Sequence, residues 1–215
     1  MTKFINLHTH TFSNLSDVME VVNQYPWEFD ASIPSYSIGI HPWYIDENRL
    51  ETDLETIKQK LQLDKCLALG ECGLDKRIEI PLELQISVFK QQLELVKETQ
   101  KPIVLHCVAA YDEVIAIKKE MKMENPMIIH GFSKNEKVAQ SLLKNGFYLS
   151  FGKYLLRNPD LEKVFTFAPE NQILLETDTI EESIYQVYEK AAAIKGISVE
   201  EMKTIVFTNF STIFS

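Results

Sequence analysis

Two histidines stand one residue apart near the start of the chain, at the end of an apolar run. The run reads KFINLHTHTF and places His8 and His10 at the C-terminal end of the first predicted strand. Alternate residues of a strand project to the same face, so both imidazoles point the same way. Neutral imidazole is a common ligand of divalent metal ions. The pair alone fits either a metal site or an ordinary surface pair at a strand end.

Other side chains that bind metals recur at the same kind of position. Each follows an apolar, strand-like run, in the segments SIGIH, LALGE, PIVLH, MIIH and ILLETD. The residues concerned are His41, Glu71, His106, His130 and Asp178. Active sites of parallel α/β barrels are built at the C-terminal ends of the strands. The repetition therefore favours one shared metal site over a set of unrelated surface positions.

Short β-rich runs alternate with longer helical patterns along the chain. Strands are predicted at 3–8, 17–23, 36–40, 66–71, 103–107, 127–130, 147–151 and 173–177, and helices at 47–62, 81–99, 110–122, 135–145, 159–167, 181–195 and 199–214. This alternation implies parallel strands joined by right-handed crossovers. Eight strands favour an α/β fold, a (β/α)8 TIM-like barrel. Segments 11–16 and 24–35 are too short for crossover helices, so the first two β/α units should be trimmed. The alternative is an open, doubly wound sheet.

The bulk properties indicate a single domain over residues 1–215 and an acidic protein, with a formal net charge of −9. A protein with this charge lacks the broad basic surface that is typical of proteins that coat nucleic acid. We expect neither a transmembrane helix nor a signal peptide. An odd number of cysteines favours a reducing, cytoplasmic location, with Cys66, Cys72 and Cys107 as small buried hydrophobic residues.

Seven motifs resemble, in order, those of the TatD-type metal-dependent deoxyribonucleases, which are amidohydrolase-like metal-dependent hydrolases. They read INLHTHTF, GIHPWY, ALGECGLD, KPIVLHC, IIHGFS, YLSFG and LLETD, and the terminal TNFSTIF resembles the closing helix of that family. The resemblance covers nearly the whole chain. It implies a hydrolase with two divalent metal ions (Mg²⁺, Mn²⁺ or Zn²⁺) that activate a water for attack on a phosphodiester.

The resemblance also implies a role for each matching residue. The metal ligands would be His8, His10, Glu71, His106, His130 and Asp178. Glu71 would bridge the two ions. Asp178, His8 and His10 would complete the coordination of one ion, and His106 and His130 would bind the other. Glu71 and Asp178 are the predicted catalytic residues, and Asp178 would also act as the general base. His41 matches a family histidine that is not usually a ligand, and it could contact substrate phosphate or orient a neighbour.

Several loop residues at the same end of the strands could contact the substrate. Lys76, Lys134 and Lys153 could bind phosphates, as could Arg77 and Arg157, and Phe12, Trp43, Tyr44, Phe132 and Tyr154 could stack on bases. Glu176 could hydrogen-bond a ligand histidine or form an internal ion pair. The chain departs from the family at Val108, where an arginine is common, and in its short segment between the H-x-H and GIHP motifs.

Short DNA or a small phosphoester is the expected substrate, with no membrane and no obligatory protein partner. One alternative is an amidohydrolase that cleaves a C–N or C–O bond of a small molecule. Another is a phosphoesterase of the polymerase-and-histidinol-phosphatase type, which also opens with LHTHT. A third is a metal-binding protein without catalytic activity. The glutamate at the bridging position and the later GECGLD and LLETD segments favour the TatD-type interpretation.

Overall fold

The computed structural model describes residues 2–215. Eight strands span Phe4–Thr9 (β1), Val18–Gln24 (β2), Tyr36–Ile38 (β3), Cys66–Asp75 (β4), Ile103–Val108 (β5), Met127–Ile129 (β6), Phe147–Phe151 (β7) and Ile173–Leu175 (β8). The α-helices span Leu50–Lys60 (α1), Leu82–Val96 (α2), Tyr111–Glu120 (α3), Glu136–Lys144 (α4), Lys153–Arg157 (α5), Asp160–Phe167 (α6), Ile184–Lys195 (α7) and Val199–Ile213 (α8). Short 3₁₀ helices occupy Pro42–Tyr44 and Glu170–Gln172.

The strands lie in one sheet that follows the chain order from β1 to β8. The recorded pairs β1–β2, β3–β4, β4–β5 and β7–β8 are all parallel. Along the described chain, no helix joins β1 to β2 or β2 to β3. The predicted trimming of the first two β/α units is therefore confirmed.

All eight predicted strands and all seven predicted helices are present, with boundaries shifted by a few residues. Two differences matter for the site. Strand β4 continues four residues beyond its predicted end, to Asp75, and the helix α5 was missed. Helix α5 has five residues, too few to show helical periodicity. The end of β4 was missed because of the two glycines of GECG, since glycine is normally depleted in strands.

The chain divides into two compact units. The central unit comprises Asn23–Met127, and the terminal unit comprises the residues up to Val22 together with Ile128–Ser215. In the central unit, the buried apolar residues Leu69 and Leu105 of the sheet and Phe89 and Leu93 of α2 belong to the core. The buried amide of Asn125 donates to the carbonyl oxygens of Val96, Thr99 and Lys101.

Strand β8 of the terminal unit is buried throughout, and β7 is buried except at the half-buried Tyr148. Ile5 and Leu7 of β1 are also buried. Helix α7 is attached to β1 by Tyr188, whose hydroxyl accepts from Ile5 N–H and donates to Ile5 C=O. Helix α8 is anchored by Asn209, whose amide donates to the carbonyl oxygens of Glu170 and Ile173. None of the helices among the described residues is long and apolar enough to span a bilayer.

Candidate metal centre

The terminal unit brings together His8, His10 and Asp178, which we call the β1/β8 cluster. Their ligand atoms all lie within 4.8 Å of one another. Asp178 Oδ1 is 3.6 Å from His10 Nε2 and 4.0 Å from His8 Nε2. Two imidazoles and one carboxylate are a donor set that suits zinc and related divalent ions. The terminal unit thus presents a set of side chains that fits a metal ion.

Backbone pairing between the end of β1 and the segment after β8 holds this cluster. Asp178 N–H donates to His8 C=O at 2.9 Å, and His10 N–H donates to Asp178 C=O at 3.2 Å. One step earlier, Thr177 N–H donates to Asn6 Oδ1 and Asn6 Nδ2 donates to Thr177 Oγ1. Asp178 itself adopts a left-handed backbone conformation with φ 58°. This conformation is costly for a non-glycine residue, and the two backbone hydrogen bonds of Asp178 stabilise it.

Positively polarised neighbours surround the Asp178 carboxylate. Lys153 Nζ, at the start of α5, lies 3.1 Å from Asp178 Oδ2. Burial raises the pKa of Asp178, but the electrostatic attraction of His130, His8 and Lys153 outweighs burial and holds the pKa below its ordinary value. The carboxylate is therefore ionised at neutral pH, as a metal ligand or a proton acceptor must be.

His130 lies beside the β1/β8 cluster, with its ring centroid 4.3 Å from that of His8. Its Nδ1 atom is 3.3 Å from Glu176 Oε1, which also accepts from Gly131 N–H at 2.7 Å. Glu176 is fully buried. Glu176 therefore contacts His130, one of the predicted metal ligands, and a carboxylate at this position orients the imidazole ring.

The central unit brings together His41, Glu71 and His106, which we call the β4 cluster. Glu71 Oε1 lies 3.1 Å from His41 Nε2 and 3.0 Å from His106 Nδ1, and all three ligand atoms fit within 4.8 Å. The backbone N–H of Glu71 donates to Asn23 Oδ1 at 2.7 Å. This is a second donor set of two imidazoles and a carboxylate. His41, predicted as a substrate-binding residue, is thus as close to Glu71 as His106 is.

Asp75, at the end of β4, contacts the β4 cluster and was not predicted from the sequence. Its Oδ2 atom lies 3.2 Å from His106 Nε2 and accepts from Trp43 Nε1–H at 2.7 Å, and its Oδ1 accepts from Arg77 N–H. Burial raises the pKa of Asp75, but these three hydrogen bonds outweigh burial and hold the pKa below its ordinary value. An ionised Asp75 accepts from Nε2–H of His106, which leaves Nδ1 as the atom that can bind a cation.

Asp75 lies four residues after Glu71 in β4. Both are acidic residues of the same strand, but the predicted strand stopped at residue 71 and so excluded Asp75. The described residues contain no disulfide, and Cys66, Cys72 and Cys107 are buried as predicted.

The predicted phosphate-binding lysines have different surroundings. Lys153 contacts Asp178 of the β1/β8 cluster. Lys76 forms an ion pair with Glu113. Lys134 lines a cleft of about 330 Å³ with residues of α4 and α6, among them Asn135 and Leu161. Of these described contacts, the one made by Lys153 reaches a residue of the two clusters.

The comparison with known proteins decides the family. A family model described as TatD-related DNase matches residues 1–215. The chain belongs to the TatD-related DNase family. It is thus a TatD-type metal-dependent hydrolase, and the predicted resemblance is confirmed.

Individual relatives agree with this assignment. The chain is 32% identical to an uncharacterized metal-dependent hydrolase, YabD, of Bacillus subtilis, over 93% of this chain and 82% of the relative. It is 31% identical to the 3′-5′ ssDNA/RNA exonuclease TatD of Erwinia billingiae, over 65% of this chain and 55% of that protein.

Solved structures show the same fold. The YjjV TatD homologue of Escherichia coli matches with a TM-score of 0.84 and 21% identity, covering 99% of this chain and 98% of that one. An uncharacterized amidohydrolase of Saccharomyces cerevisiae matches with a TM-score of 0.80 and 14% identity, covering 100% of both chains. The predicted α/β fold of the (β/α)8 class is confirmed, and the likeness to amidohydrolases is one of fold alone.

Proposed function

We propose that this chain is a phosphodiesterase that cleaves short single-stranded DNA or small phosphodiesters, using two divalent metal ions. The observation that carries the proposal is the pair of donor sets, the β1/β8 cluster and the β4 cluster, each with two imidazoles and one carboxylate within 4.8 Å. Bound divalent ions would lower the pKa of an attacking water and neutralise charge on the phosphodiester oxygens. The resemblance implies that Glu71 bridges the two ions, and this role stays a prediction. The single domain over residues 1–215 also stays a prediction.

The chain's own residues supply the remaining chemistry. Asp178 is ionised and accepts a proton from the attacking water as general base. Lys153, 3.1 Å from Asp178 Oδ2, holds that carboxylate and offers a positive charge to a substrate phosphate. Glu176 and Asp75 orient His130 and His106 through their ring nitrogens.

The charge of the molecule and a named relative support the choice of substrate. A net charge of −9 opposes binding along a long duplex, whose affinity depends on many basic contacts. The Erwinia billingiae relative is named as an exonuclease of single-stranded DNA and RNA. Three cysteines that form no disulfide among the described residues support a cytoplasmic location. We therefore propose chain ends and short strands as substrates.

A substrate panel tests the proposal. The metal-loaded protein is assayed against a short single strand, a long duplex, bis(p-nitrophenyl) phosphate, and matched amide, ester and lactone substrates. We expect chelator-sensitive turnover of the phosphodiesters, fastest on the short strand. Turnover confined to the amide, ester or lactone substrates would overturn the proposal in favour of an amidohydrolase activity.

A further inference from the structure

Trp43 presents a large aromatic surface to solvent and yet has a fixed orientation. Its side chain is 53% exposed. It stands two residues after the ligand candidate His41, in the short 3₁₀ helix Pro42–Tyr44, where Trp43 N–H donates to His41 Nδ1 at 3.1 Å. The indole Nε1–H donates to Asp75 Oδ2 at 2.7 Å. Trp43 therefore presents an exposed aromatic face whose orientation is fixed by hydrogen bonds of both its backbone and its indole ring.

The indole ring lies against the β4 cluster. Its centroid is 5.1 Å from that of His41 and 5.7 Å from that of His106, with interplanar angles of 84° and 74°. Both contacts are edge contacts, so neither imidazole is stacked in parallel on the indole. The carboxylate that holds the indole, Asp75, also lies 3.2 Å from His106 Nε2. The ring is therefore positioned by the same group that orients a ligand histidine.

The neighbouring aromatic residues pack against one another, and one of them, Tyr44, also contacts His41 at a ring-centroid distance of 5.6 Å. Tyr25 is stacked on Trp27 at a centroid distance of 4.9 Å, Tyr44 contacts both rings, and Arg49 lies over Trp27. These contacts build a packed group within the central unit. Trp43 has no contact with that group among the ring contacts described for it, which distinguishes it from Tyr44.

We propose that Trp43 is the stacking surface for a nucleobase of the nucleotide bound at the β4 cluster, and so selects substrates that carry a base next to the scissile phosphodiester. This inference rests on the proposed function. An aromatic ring accepts any base on its face and gives little sequence preference. Because the hydrogen bond to Asp75 already fixes the indole, a base that stacks on it does not have to order a flexible side chain. The entropy cost of binding is correspondingly lower. The loss of one such stack weakens binding by about 5- to 150-fold.

Fluorescence tests binding without turnover. The chain has two tryptophans, so the variant Trp27→Phe leaves Trp43 as the sole tryptophan, and phenylalanine retains an aromatic ring against Tyr25. The metal-loaded variant is titrated with thymidine 5′-monophosphate and, as control, with deoxyribose 5-phosphate, which has the phosphate but no base. We expect the nucleotide to quench Trp43 and the sugar phosphate to leave its emission unchanged. Equal effects of the two ligands, or no effect of either, would overturn the inference.

Kinetics on matched trimers test selection. A thymidine trimer is compared with a trimer of the same backbone that lacks all bases. We expect Trp43→Ala to raise KM for the thymidine trimer by about 5- to 150-fold and to leave KM for the abasic trimer unchanged. Trp43→Phe should give an intermediate KM, because it keeps an aromatic face but loses the bond to Asp75.

The outcomes separate the two proposals. If Trp43→Ala impairs both trimers equally, Trp43 supports the metal cluster and the stacking inference is wrong, while the phosphodiesterase proposal stands. If the wild-type protein cleaves neither trimer, the phosphodiesterase proposal fails, and the nucleotide titration of Trp27→Phe still decides whether Trp43 binds a base. Trp27→Phe is also the kinetic control and should match the wild type on both trimers.

Discussion

A buried carboxylate decides which nitrogen of His106 can bind a cation. Asp75 is 2% exposed, and its Oδ2 lies 3.2 Å from His106 Nε2. A carboxylate that accepts from one ring nitrogen fixes both the tautomer and the ring orientation of a ligand histidine. We therefore expect metal binding at the β4 cluster to depend on Asp75, which lies outside that cluster.

We expect Asp75→Asn to weaken metal binding at the β4 cluster by about 10- to 100-fold, because the amide is uncharged and can present its NH₂ group to His106. Calorimetric titration of the metal-free protein with Zn²⁺ measures the change. Glu120→Gln, which removes the same charge from an exposed ion pair with Lys90, is the matched control. Equal affinities of Asp75→Asn and the wild type would contradict the role of Asp75.

The three cysteines are all buried and should be inert in the native protein. Burial raises the pKa of Cys66 to about 12 and that of Cys72 further, so the thiolate that reacts with disulfide reagents is scarce at pH 8. We expect a thiol-reactive chromogenic disulfide to label no cysteine in the folded protein and all three in denaturant. Rapid labelling of a native cysteine would show that the thiol is more accessible than the structure indicates.

At the scale of elements, a glycine allows β4 and β5, which carry Glu71 and His106, to approach closely. Gly73 of β4 has φ +138°, and a Cβ there would lie 2.1 Å from the carbonyl oxygen of His106 on β5. Gly73 pairs with His106 in the register of the two strands. The position of His106 is thus set by the absence of a side chain on the neighbouring strand.

Gly73→Ala should therefore displace β5 and lose metal affinity as well as stability. The matched control is Gly196→Ala, also at positive φ but with no atom near the added Cβ. The control should lose about 1–2 kcal/mol of unfolding free energy, the cost of left-handed backbone, and keep its metal affinity. Urea unfolding and metal titration of both variants measure the difference, and identical behaviour of the two would refute the steric explanation.

The closing helix α8 depends on one buried amide. Asn209 donates to the carbonyl oxygens of Glu170 and Ile173 at the entry to β8. We expect Asn209→Ala to lower the free energy of unfolding by about 1–3 kcal/mol, because two buried carbonyl groups lose their donor. Thr208→Ala, one residue earlier on the exposed face, should change it by less than about 0.5 kcal/mol. A urea unfolding curve of Asn209→Ala that matches the wild type would contradict this account.

The strands and the histidines at their ends could be predicted because both follow from local pattern. Apolar runs that end in His8, His106 or His130 mark a buried strand and its polar end. Asp75 could not be placed in this way, because Gly73 conceals the last part of β4 and its need for glycine arises only from contact with β5. The His41–Glu71 contact was also missed, since a distance between separate strands is a tertiary property.

At the scale of the whole molecule, an acidic chain presents two local donor sets that suit cations. The net charge is −9, yet bound divalent ions would reverse the local charge where a phosphate has to bind. The family assignment and the relatives agree with metal-dependent hydrolysis. The central claim is that each of the two clusters, β1/β8 and β4, holds one ion.

Elemental analysis of the purified protein and of two cluster variants, each incubated with Mn²⁺ or Zn²⁺ and then desalted, tests this claim most directly. We predict about two ions per chain in the wild type. Asp178→Asn should retain at least one ion while phosphodiesterase turnover falls by about 10²- to 10⁴-fold, and the double variant His41→Ala/His106→Ala should lose the ion of the β4 cluster alone. A wild type that binds no divalent ion, or an Asp178→Asn variant with unchanged metal content and unchanged turnover, would contradict the account.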